Sequence, residues 1–393
     1  MKPTISRNII YIGQDDRDAD IFEGQYALPE GMCYNSYLIR DTHTAIIDTV
    51  DASVGEAWKT ALDQALAGVA PEYLVAHHME PDHASLIVWA LERYPSLTLV
   101  ASAKAMAMLP LYFPEYDFAG RTMTVAEGDT LELGEHSLRF IAAPMVHWPE
   151  VMVSWEASEG LLFSADAFGK FGVYGADPED WACEARRYYF NICGKYGAPV
   201  QALLKKVAPL NINKILPLHG HVLEGGAMAE ALRLYGIWSA YGNETPGVFV
   251  AYGSFHGNTA KAALCLADLL REAGCPKVAV SDLARDDAAE AVEDAFRYPV
   301  TVFAATTYDG AYNPAVQRLL HTLRAKGWQG KTVAFIENGS WAPQAARLMR
   351  ADLEGCKALN FIDPPVTIRG ALKDGDIPAL KALAESLVKA VNN

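Results

Sequence analysis

Short apolar runs of four to six residues recur along the first two-thirds of the chain: Tyr37 to Arg40, Thr44 to Asp48, Tyr73 to Ala76, Leu97 to Ala101, Leu138 to Ala142, Val151 to Trp155 and Leu161 to Ser164. Their length and their Val, Ile, Leu and Phe content predict strands. Stretches of helical period lie among them, at Ser53 to Ala67, Ala84 to Arg93 and Val200 to Val207. Paired strands mixed with helices predict an α+β layered sandwich rather than a plain doubly wound sheet. The run YGNETPG at 241–247 is rich in turn formers and marks a domain boundary, giving one domain over 1–246 and another over 247–393. Beyond it the pattern becomes a strict alternation. Strands GVFVAYGS, KVAVSDL, PVTVFAAT, TVAFIEN and a short one near Ala358 alternate with helices Thr259 to Ala273, Ala288 to Phe296, Ala315 to Lys326, Ala342 to Leu353 and Ile377 to Val391. Such alternation predicts a parallel sheet covered on both faces.

Composition narrows the function classes. Of 393 residues, 51% are hydrophobic and 21% charged, as expected of a globular protein with an ample core and not of a disordered or fibrous one. Basic residues number 33 and acidic ones 48, for a net charge of −15, which repels nucleic-acid backbones and anionic lipid. No run approaches the ~18 apolar residues of a membrane span, and the start MKPTISRNIIYIG does not read as a signal peptide, so a cytoplasmic location is expected. The six cysteines form no C-x-x-C pair, which argues against a disulfide framework, a zinc ribbon or a rubredoxin-type site within the chain.

The densest chemistry follows the strand at Tyr73. The loop His77-His78-Met79-Glu80-Pro81-Asp82-His83 offers imidazoles and carboxylates in close succession. Asp82, just before a helix, also suits an N-cap. Three more candidates follow predicted strands: His147 in APMVHWPE, Asp166 in LLFSADAFG and His219 in ILPLHGHVL. A lone histidine after a strand is commonly a packed residue, but together these form a set of nitrogen and oxygen donors without thiolate. That set disfavours a structural zinc or iron–sulfur site and favours a catalytic Fe, Mn or Zn centre. Seven side chains exceed what one open ion needs, and a binuclear site with a bridging carboxylate accounts for the number.

In the second domain the first strand runs into Ser254-Phe255-His256-Gly257-Asn258-Thr259 and a helix. Hydroxyls, a glycine and N–H groups at a helix N-terminus make a phosphate cradle. The loop lacks the lysine of a nucleotide P-loop and the spacing of a dinucleotide fingerprint, and it resembles the phosphate loop of flavodoxins. Two later strand ends, with Thr306, Thr307, Tyr308, Asp309 and Gly310 in one and Asn338, Gly339, Ser340 and Trp341 in the other, carry polar groups and aromatics suited to a flavin ring. In an open sheet all three loops meet at the carboxyl ends of the strands.

The order H-x-E-x-D-H, a distant His, a distant Asp and a final H-G resembles the metallo-β-lactamase superfamily. Glu80 in place of the usual histidine, with HWPE, FSADAFG and PLHG, is similar to the flavodiiron proteins, including rubredoxin:oxygen oxidoreductases. The resemblance implies a metallo-β-lactamase-like αββα sandwich followed by a flavodoxin-like doubly wound sheet. It implies two iron ions, the first held by His78, Glu80 and His147, the second by Asp82, His83 and His219, with Asp166 bridging, and FMN on the three loops of the second domain. The charge of Glu80 also suits redox iron better than hydrolytic zinc on physical grounds. His77 and His221 neighbour ligands and read either as orienting groups or as ordinary loop histidines. Glu23, in DIFEGQY, stands where some relatives have a histidine near the irons; Tyr188 and Tyr189 read first as a core aromatic pair and second as pocket residues.

The implied activity is reduction of O2 to water, of NO to N2O, or both, with electrons from a separate rubredoxin or other reductase, since the chain holds no cysteine cluster of its own. A head-to-tail homodimer, or a dimer of such dimers, is expected, with the flavin of one subunit facing the irons of the other. The rival readings are a zinc hydrolase fused to a flavodoxin domain and a flavin electron carrier.

Overall fold

The computed structural model describes residues 5–176 and 180–392. By packing, the chain forms two units: one runs to Tyr189 and includes Tyr196–Gly236, and the other takes Phe190–Lys195 and the chain from Ile237 onward. The passage at Gly236–Ile237 lies inside the helix Gly225–Ser239, before the turn-rich run at 241–247. Trp238, fully buried, ties the helix end to that run by donating its Nε1 hydrogen to Glu244, 2.6 Å away.

Among the described residues, the first unit is built on two six-stranded sheets. In one, the order is Ile9–Tyr11, Tyr37–Ile39, Ala45–Ile47, Tyr73–Val75, Thr98–Ser102 and Thr122–Val125, antiparallel at the start and parallel from Ala45 onward. In the other it is Thr130–Glu132, Ser137–Ala142, Met152–Glu156, Leu161–Phe163, Lys214–Leu216 and Leu223–Glu224. Ile9, Tyr37, Ile47, Val75 and Val100 pack in one core with Leu138, Phe140, Met152, Phe163 and Leu216, so the sheets lie face to face. The alternate residues Leu38, Ile46, Leu74 and Leu99, and Ile141, Val153, Leu162 and Ile215, are buried too. Burial of both faces of both sheets requires helical outer layers, which makes an αββα sandwich.

All seven strands expected in this region form. The expected helix over Ala84 to Arg93 is instead two pieces, Pro81–Ala84 and Ile87–Arg93, because the first turn is nucleated by Pro81 at its N1 position and ends at once. Sequence pattern did not signal the wholly polar strand Gln14–Asp16, the two-residue strands Ile21–Phe22 and Tyr26–Ala27, the strand Met32–Tyr34, or the helix Ala103–Tyr112, which is apolar nearly all round.

The second unit has the parallel order Val278–Asp282, Val248–Gly253, Val300–Tyr308, Thr332–Asn338, with Asn360–Phe361 and Val366–Ile368 both on the outer edge of the last. In chain order this is 2-1-3-4-5, the flavodoxin-like arrangement. The fifth strand, expected near Ala358, begins at Asn360 and is interrupted by Asp363-Pro364-Pro365, since proline cannot donate to the ladder. The helix expected from Ala342 starts at Ala345, because Ala342 is left-handed with φ 41°.

Candidate metal centre and flavin site

Each donor of the first unit sits just past a strand end. His78 follows Tyr73–Val75, and the single turn Pro81–Ala84 brings Asp82 and His83 back beneath Glu80, whose carbonyl accepts from the His83 and Ala84 amides. Asp82 caps nothing: Glu80 occupies the N-cap position, and the N-cap expectation for Asp82 fails because its side chain points to the imidazoles. His147, Asp166 and His219 follow the strands ending at Ala142, Phe163 and Leu216. The His219 loop is fastened by Asn35, whose amide donates to the Pro217 and Gly220 carbonyls at 2.8 and 2.7 Å.

These seven side chains come together as two adjoining clusters, His78, Glu80, His147 and Asp166 in one and Asp82, His83 and His219 in the other. Glu80 Oε2 lies 3.1 Å from both His78 Nε2 and His147 Nε2. Asp166 reaches both clusters. Its Oδ2 is 3.3 and 3.1 Å from His78 and His147, and its Oδ1 is 3.2 and 3.7 Å from His83 and His219. Asp82 Oδ2 is 3.4 and 3.3 Å from the same two imidazoles, which are themselves 3.1 Å apart. Donors held at ~2.1 Å from a common ion stand roughly 3.0–3.4 Å from one another, so the spacing suits one ion per cluster.

Hydrogen bonding does not account for the arrangement. Neither oxygen of Asp166 nor of Asp82 has a hydrogen-bond partner, although all four are buried. Buried carboxylates without partners are costly unless a cation faces them. The protein charges alone show the same demand. Burial disfavours a charged His147 ring, yet the carboxylates of Asp166 and Glu80 beside it push it up to about 9. Burial likewise opposes ionised Asp166, but the imidazoles hold it well below the usual carboxylate range. Three carboxylates sharing four imidazoles fit a pair of divalent ions in number, charge and donor type.

The surroundings contain groups that the sequence reading missed. Glu150 accepts from His78 Nδ1 at 2.7 Å, and the Cys33 carbonyl from His219 Nδ1 at 2.8 Å. His77 stands outside both clusters: Asp48 binds its Nδ1 at 2.6 Å and Ser154 its Nε2 at 2.8 Å. His221 also lies outside them, and burial pushes its pKa down to about 4. Tyr188 is wholly buried and packs on His219 with ring centroids 5.6 Å apart, while Tyr189 packs on Tyr235. Glu80 and Asp82 open onto a cavity of about 380 Å³ lined also by Phe22, Tyr34 and Glu23. Burial and the charge of Glu80 push Glu23 up to about 7.

In the second unit a cavity of about 560 Å³ lies at the carboxyl ends of the strands, lined by residues of all three loops. Ser254, Phe255, His256, Asn258, Thr259, Thr306, Thr307, Tyr308, Asp309, Gly310, Asn338, Gly339, Ser340 and Trp341 line it; Gly257 does not. Gly257, at φ +80°, is the N-cap of the helix Asn258–Glu272, a conformation that glycine adopts without strain. Ser254 Oγ is buried without a partner beside that N-terminus, and Thr259 and Thr306 share a hydrogen bond of 2.7 Å. Thr307 Oγ1 accepts from the Gln344 and Ala345 amides and so fixes the third loop to the second. Phe255 and Tyr308 pack at 4.7 Å, and Trp341 is 82% exposed at the rim. An orphaned hydroxyl at a helix N-terminus under exposed aromatics fits a flavin phosphate and ring.

Comparison with known proteins gives concordant matches. Residues 32–220 match the family model described as ODP family beta lactamase. A nitric oxide reductase of Moorella thermoacetica is 28% identical over 98% of both chains. The anaerobic nitric oxide reductase flavorubredoxin of Vibrio vulnificus is 26% identical over 89% of this chain and 72% of its own. Among solved structures, the flavodiiron protein from Giardia intestinalis superposes with a TM-score of 0.93 at 25% identity, covering 100% of this chain and 97% of that one. Rubredoxin oxygen:oxidoreductase from Desulfovibrio gigas gives 0.90 at 24% identity, with 100% and 99% coverage, and supports the fold.

Proposed function

We propose, on its likeness to a nitric oxide reductase and to a flavodiiron protein over nearly its whole length, that the chain is a flavodiiron-family oxidoreductase that reduces O2 to water, NO to N2O, or both, at a non-haem diiron centre supplied with electrons by FMN. The observation that carries the reading is Asp166, buried without a hydrogen-bond partner and reaching one cluster with each oxygen. His78, Glu80 and His147 would hold one iron and Asp82, His83 and His219 the other, with Asp166 offering an oxygen to each half-site. Bound iron and FMN would supply the redox chemistry, the iron pair two electrons and FMN two more.

The chain's own residues do the rest. Asp166 keeps the two half-sites together, and Glu80 and Asp82 turn their open sides to the cavity walled by Phe22 and Tyr34, where a diatomic molecule approaches. Trp148, half-buried, packs edge-on to the His78 ring with centroids 5.1 Å apart and limits its rotation. Ser254, Thr259 and the N-terminus of helix Asn258–Glu272 bind the flavin phosphate, with Tyr308 and Trp341 at the ring. A separate rubredoxin or another reductase delivers the electrons. A head-to-tail homodimer, flavin of one subunit facing irons of the other, supplies the short transfer distance that complete reduction demands. Among the described residues no helix is long and apolar enough to cross a membrane, and a cytoplasmic setting suits this chemistry.

Metal and flavin analysis of protein from iron-replete cells tests the assignment. It predicts two irons and one FMN per chain; two zinc and no iron contradict it in favour of a hydrolase.

A further inference from the structure

We propose that Glu150 is a positioning residue for the metal centre: its carboxylate fixes the His78 ring from behind and makes the half-site of His78, Glu80 and His147 the more electron-rich of the two. The inference rests on the diiron reading above and deepens it by distinguishing two half-sites that are otherwise alike, each with a terminal carboxylate, two imidazoles and a share of Asp166.

Glu150 is 2% exposed, and its Oε1 lies 2.7 Å from His78 Nδ1. A carboxylate only accepts, so Nδ1 carries the hydrogen and Nε2 presents its lone pair toward Glu80 and Asp166, 3.1 and 3.3 Å away. The Met79 amide lies 3.0 Å from Glu150 Oε1 and 3.1 Å from His78 Nδ1, and the anion is the better acceptor. The remaining oxygen, Oε2, is buried with no hydrogen-bond partner, so the side chain spends its charge on one imidazole and one amide. Its backbone is pinned as well: the Glu150 carbonyl accepts from Ser102 Oγ at 2.8 Å, and Ser102 caps the helix Ala103–Tyr112.

Among the described residues the other half-site has no such group. His219 Nδ1 meets the neutral Cys33 carbonyl, and His83 Nδ1 has no partner. Either acceptor behind a ligating imidazole fixes its tautomer, but an anionic carboxylate raises its basicity more than a neutral carbonyl does. His77, paired with Asp48 in the same way, shows the same device in a structural role, its far nitrogen taken by Ser154. The difference lies in what faces Nε2.

The test compares the full-length wild type with Glu150→Gln and Glu150→Ala, each loaded anaerobically with ferrous iron and FMN. Iron uptake and spectroelectrochemical titration of iron and flavin are the readouts. Gln keeps the size and an acceptor for Nδ1 but loses the charge. The proposal predicts that Glu150→Gln still takes two irons, that the potential of one iron rises, and that the flavin potentials stay unchanged. Glu150→Ala should weaken uptake of one iron ~10–100-fold and spare the other. Wild-type iron affinity and wild-type iron potentials in Glu150→Gln overturn the proposal, even if Glu150→Ala fails to fold. Failure of the wild type itself to bind two irons overturns the diiron reading and this inference with it.

Discussion

Asp166 concentrates the energetics of the centre. Ionised, wholly buried and within 3.7 Å of four imidazole nitrogens, it repels any arrangement that lacks positive charge between them. Asp166→Ala removes the one group among the described residues that reaches both clusters. Bound iron should fall well below two per chain while FMN stays bound, as read by metal analysis and the flavin spectrum. A second test concerns His136, which bridges Asp41 at 2.8 Å and Glu159 at 3.2 Å. Burial works against its charge, but those hydrogen bonds outweigh it and raise its pKa. The contribution is full below the unfolded value of ~6.5 and is lost as pH rises through the raised folded value. Asp41, held near 2 against the pull of burial by bonds from His136, keeps its own contribution until pH falls toward that value. Thermal melts should therefore show His136→Gln less stable than wild type by about 1–2 kcal/mol at pH 5.5, with the gap narrowing by pH 9. The sequence shows which residues can bind a metal, but not which way each points. His77 and His78 are adjacent and chemically identical, and only the positions of Asp48 and Glu150, distant in the chain, send one to a structural role and the other toward the cluster.

At the scale of elements, strands marked by β-branched and large apolar residues were legible, and so were the loops that follow them. Such residues do not mark a single turn such as Pro81–Ala84, where Asp82 changes from an apparent cap to a cluster residue. The strand Val248–Gly253 illustrates how tightly an element end is set. A Cβ on Gly253 would lie 2.3 Å from Asn313 Oδ1 and 2.9 Å from Val316 Cγ2. Asn313 caps the helix Pro314–Ala325 by accepting from the Ala315 amide. Gly253→Ala should therefore cost roughly 1–3 kcal/mol through the lost cap and the crowding. Because Ser254 follows directly, it should also weaken FMN binding; differential scanning calorimetry and flavin titration check the two effects.

For the whole molecule, two units carry two kinds of site, and the proposed activity needs both. The proposed head-to-tail dimer brings flavin and iron together, and small-angle scattering at micromolar concentration should show a particle of twice the chain mass; a monomer alone counts against it. The net charge of −15 favours a donor that presents a basic or neutral patch over one that is strongly acidic. The most direct test is anaerobic, calibrated addition of O2 or NO to iron- and FMN-loaded protein with a reduced donor, beside the Asp166→Ala variant carrying the same FMN. The account predicts rapid consumption of at least one gas by the wild type, with water or N2O as product, and a fall to the flavin-only background in the variant. Equal consumption by the two proteins, or none above background for either gas, contradicts it.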